Sequence, residues 1–467
     1  MGNSSKMEAG TFRHEHWSSR LGFILAATGS AVGLGNIWKF PYVTGENGGG
    51  AFVLVYLACI ALVGLPIMMA EVLIGRRGQR SPIHSMRLVA GQEGAWSGWQ
   101  IVGWFGVVAG FIILSFYSVI AGWSLAYIFE AASGAFVAAD AKTIGAIFGG
   151  LLDSPGRLLF WHTVFISMTV FVVAGGVRAG LERAVSILMP TFFLLMLALV
   201  GYAAIATDTF GQGVAFLFSP DFSKLSGETV LVAMGQAFFS LSLGMGVMLA
   251  YGSYLPQSVS IGRSVFAICV ADTSVALIAG LAIFPLVFTY GLEPGAGPGL
   301  VFQTLPLALG HLGGGVFFGT LFFVLLVVAG WTSSISILEP TVQWVEERFG
   351  IRRVTTAVLA GVAAWLLGLL TVFSFNLWSE FKIWDKTLFE LLDYLTSNIM
   401  LPLGGLLFAL FAGWIMAKSS TRQELGADCR GKDSRSFILW RFLVRYVSPV
   451  GIGLVMLHSL GLITLTG

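Results

Sequence analysis

Apolar runs of roughly twenty residues or more recur so often along this chain that no single soluble core can bury them. They fall at approximately 17–43, 50–75, 99–130, 158–176, 184–206, 229–255, 263–291, 314–347, 354–374, 387–417 and 436–463. A hydrocarbon core about 30 Å thick is crossed by about 20 helical residues, so each run is long enough for one passage. Barrel strands are excluded, because the runs are too long and too uniformly apolar for strand alternation. Only 11% of residues are charged, whereas a soluble domain carries about 25%. The expected fold is an all-α polytopic membrane protein with eleven transmembrane helices: a polar segment at 1–16, a core at 17–417 and an eleventh helix at 436–463. No cleavage site follows the first run, so a removable leader is not expected.

Charge orients the chain. With the first segment inside, 20 of the 26 Lys and Arg fall in cytoplasmic segments or at adjoining helix ends. Lys39, Lys142, Arg157, Lys224, Lys382 and Lys386 fall toward the other side. Excess Lys and Arg marks cytoplasmic loops, and an odd number of passages then leaves the C-terminus outside. The formal net charge of +2 offers nothing to a nucleic acid. Cys59, Cys269 and Cys429 are scattered, and the six histidines are dispersed, so neither a disulfide framework nor a metal cluster is expected.

Two runs are interrupted. Thr28-Gly29-Ser30-Ala31-Val32-Gly33-Leu34-Gly35-Asn36 places three glycines within seven residues of a membrane run. Glycine costs a helix about 1 kcal/mol relative to alanine, so an unwound break is expected between Trp17–Ala27 and Ile37–Val43. In lipid, freed backbone groups are tolerated only where protein buries them or where they line a cavity. Carbonyls on one side of such a break suit a cation, and amides at the start of the next half-helix suit an anion. Phe238-Phe239-Ser240-Leu241-Ser242-Leu243-Gly244-Met245-Gly246 repeats the pattern downstream. Paired glycine breaks in the two halves of a membrane chain point to a secondary transporter with a midplane site. Gly33-Leu34-Gly35 alone is not a dinucleotide loop, since the third glycine and the preceding strand are missing.

Four stretches carry a family resemblance: Ser30 to Pro41, Glu46 to Phe52, Gln236 to Gly244, and Ala329-Gly-Trp-Thr-Ser-Ser334. Together they resemble the neurotransmitter:sodium symporter family, in its bacterial amino-acid branch, over nearly the whole chain. The resemblance implies a 5+5 inverted repeat (17–206 and 229–417) with discontinuous helices 1 and 6, and sodium-coupled symport of a hydrophobic L-amino acid by alternating access. It further implies a bacterial inner-membrane location, no organic cofactor, no enzymatic activity and no obligate protein partner. Many relatives carry a twelfth span, which is not expected here.

The resemblance assigns a substrate carboxylate to the amides of Leu34 and Gly35 and the Tyr117 hydroxyl. It assigns the ammonium group to Ala31, Phe239, Ser240 and Ser242, and the side-chain pocket to Ile113, Phe239, Ser242, Met245, Ser333 and Ile337. A first sodium is implied at Ala31, Asn36, Ser240 and Asp272, with the substrate carboxylate as a further ligand. A second is implied at Gly29, Val32, Ala329, Thr332 and Ser333. Neutral hard-oxygen ligands on separate helices suit a weakly held monovalent cation. Each piece has a plainer alternative: Tyr117 as a packed aromatic, Asp272 as a structural acid, Thr332-Ser333-Ser334 bonding their own helix.

Asp272 and Ala276 depart from chloride-binding relatives, which carry Asn and Ser at these positions. The Asp272 carboxylate is expected to take the place of chloride. Gly33 stands where monoamine carriers place an aspartate, leaving room for a substrate carboxylate. Lys39 and Asp393 occupy the outer gate, with Phe239 and Tyr117 as the lid beneath, and Lys in place of Arg implies a looser latch. Arg13 (or His14, by a one-residue shift), Trp17, Ser253, Tyr254 and Glu347 map to the inner gate, and Glu71 to packing near the outer one. The Gly/Pro-rich stretch 293–299 is either a flexible turn or the start of a loop over the outer vestibule. An amine or osmolyte carrier is the alternative function, and a ligand-gated channel a more distant one.

Overall fold

The computed structural model describes residues 16–292, 299–426, 434–459 and 462–463. In chain order its long helices are α1 (Arg20–Ala31), α2 (Gly35–Glu46), α3 (Gly50–Gly78), α4 (Ser97–Ala132), α5 (Pro155–Ala174) and α6 (Val177–Ala206). They continue with α7 (Gly227–Ser240), α8 (Val247–Ser253), α9 (Ile261–Thr289), α10 (Gly315–Phe349), α11 (Arg353–Ser374), α12 (Leu388–Ile415) and α13 (Arg435–His458). Nine of these are long and apolar enough to cross a bilayer, and α1–α2 make a tenth if their bent pair is one passage. α7 and α8 lie where the sixth apolar run was expected, each too short alone to span.

α4 and α10 have 78% and 83% of their most apolar window buried, whereas α6 and α13 have 28% and 33%. The first pair is therefore the centre of the bundle, and the second faces lipid. Against α4 and α10 pack the two broken elements. α1 and α2 meet at a 50° bend across Val32, Gly33 and Leu34. α7 and α8 are separated by Leu241–Gly246, where Ser242, Gly244 and Gly246 take φ of 53°, 80° and 70°. A Cβ on Gly244 would stand 2.4 Å from the Leu401 carbonyl oxygen, so both the backbone sign and the approach of α12 exclude a side chain there.

This unwound segment is tied down by an acid. The Gly244 N–H donates to Glu71 Oε1 at 2.8 Å, and Glu71 is fully buried on the second half of α3. Glu71 therefore supports the downstream break and does not pack near the outer gate as expected. Glu71→Leu orphans a buried N–H and is expected to cost about 1–2 kcal/mol in thermal unfolding, while Glu71→Gln keeps an acceptor and loses little.

Other boundaries moved for local reasons. α6 begins at Val177, seven residues before the apolar run, because Gly176 turns the chain at φ 86° and the charged first turns find partners. Arg178 donates to the His16 carbonyl at 2.9 Å, and Glu182 accepts from the Ser18 hydroxyl. Short helices at Pro82–Gln92, Ala141–Leu152 and Lys418–Leu425 form outside the runs. The second is capped by Asp140, which accepts from the Thr143 N–H at 2.8 Å. The 293–298 stretch, the residues before His16 and Cys429 lie outside the described residues.

Candidate functional site

The two breaks face each other beside α4 and α10, and a cavity lies between them. It is lined by Ser30, Ala31, Gly33 and Gly35 from the first break, by Ile113 and Tyr117 from α4, by Phe239, Ser242 and Met245 around the second break, and by Ser333 and Ile337 from α10. Nine of the eleven expected substrate residues are in this lining, Leu34 and Ser240 excepted. Leu34 remains beside it, because its N–H donates to the Tyr117 hydroxyl oxygen at 3.3 Å. One end of the cavity is thus polar, with Tyr117 at the amides that open α2. The other is apolar, with Ile113, Met245 and Ile337.

Ser240 sits beneath, in a buried polar knot. Its hydroxyl donates to Asp272 Oδ2 at 2.7 Å and accepts from Asn36 Nδ2 and from the Tyr56 hydroxyl, both at 3.1 Å. Asn36 Nδ2 also reaches Asp272 Oδ1 at 2.8 Å and the Asp272 carbonyl at 3.2 Å. Asn36, Ser240 and Asp272 are all inaccessible to solvent. Three of the four residues expected at a first cation site are therefore in mutual contact, with Ala31 on the adjoining cavity wall. Carboxylate, hydroxyl and amide are a hard-oxygen donor set that fits a monovalent cation. Asn36 Oδ1 accepts from the Gly33 N–H at 3.1 Å, which leaves its second lone pair for an ion.

The second expected set is assembled across α1 and α10. The Ser333 hydroxyl approaches the carbonyls of Gly29 and Val32 at 3.4 and 3.2 Å, and that of Ser30 at 3.2 Å. Thr332 bonds its own helix, at 3.0 Å to the Ala329 carbonyl, and Ser334 does the same at 2.9 Å to Trp331. The plainer alternative thus describes Thr332, but not Ser333, which reaches across to α1, nor Ser334, whose hydroxyl also meets that of Thr169 on α5 at 2.7 Å. Thr332 still faces the set, since a Cβ on Gly29 would lie 3.3 Å from the Thr332 Cβ.

Several contributors had been missed. Ser30 accepts from Ser242 at 3.0 Å and from Ser336, hydroxyl to hydroxyl, at 2.7 Å, so it is a hub between both breaks and α10. Gln236 Nε2 donates to the Gly35 carbonyl at 2.9 Å, joining α7 to α2. Only position within the small-residue run hinted at Ser30, and nothing local distinguished Tyr56.

The Lys39 ammonium stands 4.5 Å from the centre of the Phe239 ring. Asp393 accepts from Ser397 at 2.8 Å, and among the described residues no ion pair joins it to Lys39. A lysine lacks the planar fork that would hold a carboxylate two-handed, and an aromatic face competes for it. Lys39→Ala is expected to change ligand affinity by no more than about fivefold, the scale of an exposed cation–π contact, in an equilibrium binding assay.

On the inner side Trp17 is buried, its Nε1 donating to the Tyr251 carbonyl at 3.0 Å and its N–H to the Tyr254 carbonyl at 3.1 Å. Tyr254 donates to Glu339 at 2.8 Å, and Glu339 pairs with Arg353. Ser253 accepts from Gln343 at 3.1 Å. Glu347 is held by the Ser81 N–H and hydroxyl at 2.8 and 2.7 Å and by His84 at 2.7 Å. The acid that meets Tyr254 is therefore Glu339, about 12 Å earlier along α10 at 1.5 Å per residue. Arg13 lies outside the described residues.

A family profile described as the sodium:neurotransmitter symporter family matches residues 14–140 and 138–465. The chain belongs to that family. It is accordingly a sodium-dependent transporter of several membrane passages, by family, and its most similar counterparts include bacterial ones. An uncharacterized sodium-dependent transporter of Bacillus subtilis, YhdH, is 39% identical over 96% of this chain and 98% of its own. An uncharacterized sodium-dependent transporter of Haemophilus influenzae is 33% identical over the same shares. Among solved structures, MhsT in complex with L-phenylalanine is 44% identical and superposes with a TM-score of 0.86, over 95% of this chain and 99% of that one.

Proposed function

We propose that this family member is a sodium-coupled symporter of hydrophobic L-amino acids, working by alternating access and without chloride. The observation that carries the proposal is the cavity, polar at the α2 amides and apolar at Ile113, Met245 and Ile337, in a chain 44% identical to one solved with L-phenylalanine. A zwitterion fits such a gradient. Its carboxylate meets the α2 amides and the Tyr117 hydroxyl, and its ammonium meets the carbonyls at Ala31, Phe239 and Ser240 and the Ser242 hydroxyl. The side chain then enters the apolar end, where no acid or base stands to receive a charge. Met245 is a flexible filler that adapts to aliphatic and aromatic shapes.

Sodium is carried as a co-substrate. One ion is assigned to Asn36, Ser240, Asp272 and the Ala31 carbonyl, and is completed by the substrate carboxylate. The other is assigned to the carbonyls of Gly29, Val32 and Ala329 with Thr332 and Ser333. Sharing the carboxylate couples ion and amino acid directly, so each tightens the other. Alternating access follows if α1, α2, α7 and α8 rock against the α4–α10 centre, opening the Lys39–Phe239 lid and the Trp17–Tyr254 plug in turn. The same proposal includes eleven passages in two inverted repeats (17–206 and 229–417) plus a final helix at 436–463, with the N-terminus inside the bacterial inner membrane.

The test is uptake by proteoliposomes of labelled Leu, Ile, Val, Phe, Tyr and Trp, alongside betaine and serotonin, under an inward sodium gradient. Saturable accumulation of the apolar amino acids alone is expected. Accumulation of betaine or serotonin in their place, or currents far above the amino-acid flux, contradicts the proposal.

A further inference from the structure

We propose that a groove between α3, α9 and α13 holds one anionic phospholipid, its phosphate at Arg263. The groove has a volume of about 480 Å³. Ala61, Leu65 and Met69 of α3 form one wall, and Phe266 of α9 with Leu439 and Leu443 of α13 form the other. Arg263 is in the first turn of α9, hence at a membrane surface, whereas Ala61 lies about 12 Å back along α3 from Met69. The groove therefore runs from the headgroup level into the hydrocarbon. Its floor carries no orphaned polar group, because Trp440 Nε1 donates to the Pro66 carbonyl at 3.0 Å. Phe266 and Leu439 are 60% and 58% exposed, leaving the groove open to the bilayer. At that depth only an acyl chain or another apolar helix can lie in it.

The mouth decides between those occupants. Ser260, Arg263 and Ser436 rim it, and the Arg263 guanidinium makes no hydrogen bond or ion pair among the described residues. Arg20 stands close by, its Nε 3.4 Å from the Ser264 hydroxyl. A carboxylate on the adjoining short helix, Glu424, is already paired with Arg76 at 2.7 Å. Unpaired positive charge over an apolar slot complements a phosphate on two acyl chains. A helix of a second copy would have to bring its own acid.

Native mass spectrometry of the delipidated full chain, titrated with dioleoyl phosphatidylglycerol or dioleoyl phosphatidylcholine, tests this. One phosphatidylglycerol per chain should be retained about fivefold better than phosphatidylcholine, the worth of one basic residue at an anionic surface. Arg263→Gln should abolish the preference, and Arg263→Lys should keep it. Gly262→Trp, whose Cβ starts 3.6 Å from Met69 Cε, should fill the slot and lose either lipid while still eluting as folded protein. Equal retention of the two lipids by the unmodified chain overturns the proposal, as does a preference that survives Arg263→Gln. If Gly262→Trp instead splits a dimer, the groove is a contact between copies and the proposal falls.

Discussion

Asp272→Ala should abolish measurable sodium-dependent binding of L-phenylalanine, a loss of at least about 100-fold in affinity. The carboxylate accepts from Asn36 and from Ser240 in a site sealed from water. Its removal takes the acceptor from the buried Ser240 hydroxyl, at a cost of about 1–3 kcal/mol, and the shortest bond from Asn36 Nδ2, before any loss of ion ligation is counted. The conservative Asp272→Asn separates shape from charge. It keeps an oxygen in place but raises the net charge of the loaded site from one positive to two. That variant should bind weakly in gluconate and recover in chloride, while the unmodified protein responds equally to both anions. Chloride-stimulated binding by the unmodified protein would show that Asp272 does not stand in for the anion.

Gly33→Ala is the second large effect. A Cβ there would stand 2.5 Å from the Ser333 hydroxyl and 2.9 Å from the Tyr117 hydroxyl. Neither neighbour yields easily. Ser333 is placed against three α1 carbonyls, and Tyr117 accepts from the Leu34 N–H. Overpacking of this kind costs about 1–3 kcal/mol, and here it displaces groups assigned both to the substrate and to the second ion, so a loss near 100-fold is expected. Gly201→Ala is the control. Gly201 is exposed on α6 with nothing within 4 Å, so alanine there should leave binding unchanged and raise helix stability by up to about 1 kcal/mol. If both variants bind alike, the cavity at Gly33 is not the binding site.

Much of this architecture was legible before any coordinates. Long apolar runs announce membrane helices because lipid leaves the backbone no other way to satisfy itself, and the glycine-rich stretches at Gly33 and Gly244 marked where that rule is relaxed. What one sequence conceals is partner choice across hundreds of residues. Lys39 matches Asp393 by position, yet its ammonium stands over the Phe239 face and makes no ion pair with Asp393 among the described residues. Tyr254 and Glu347 both map to the inner gate, but the Tyr254 hydroxyl goes to Glu339 on the same helix as Glu347, and Glu347 is held by Ser81 and His84. Glu71 was placed on the wrong level, since its partner, the Gly244 N–H, exists only after α7 and α8 unwind. Such pairings are decided by packing, and packing leaves no periodic trace in composition.

The account depends on the two unwound segments holding an amino acid and sodium as one unit. Reciprocal titration of the purified chain tests that most directly: L-phenylalanine affinity measured against sodium with potassium balancing ionic strength, and sodium affinity measured with and without L-phenylalanine. The account predicts that each ligand tightens the other by the same factor and that potassium supports no binding. Amino-acid binding of equal strength in sodium and in potassium would contradict it.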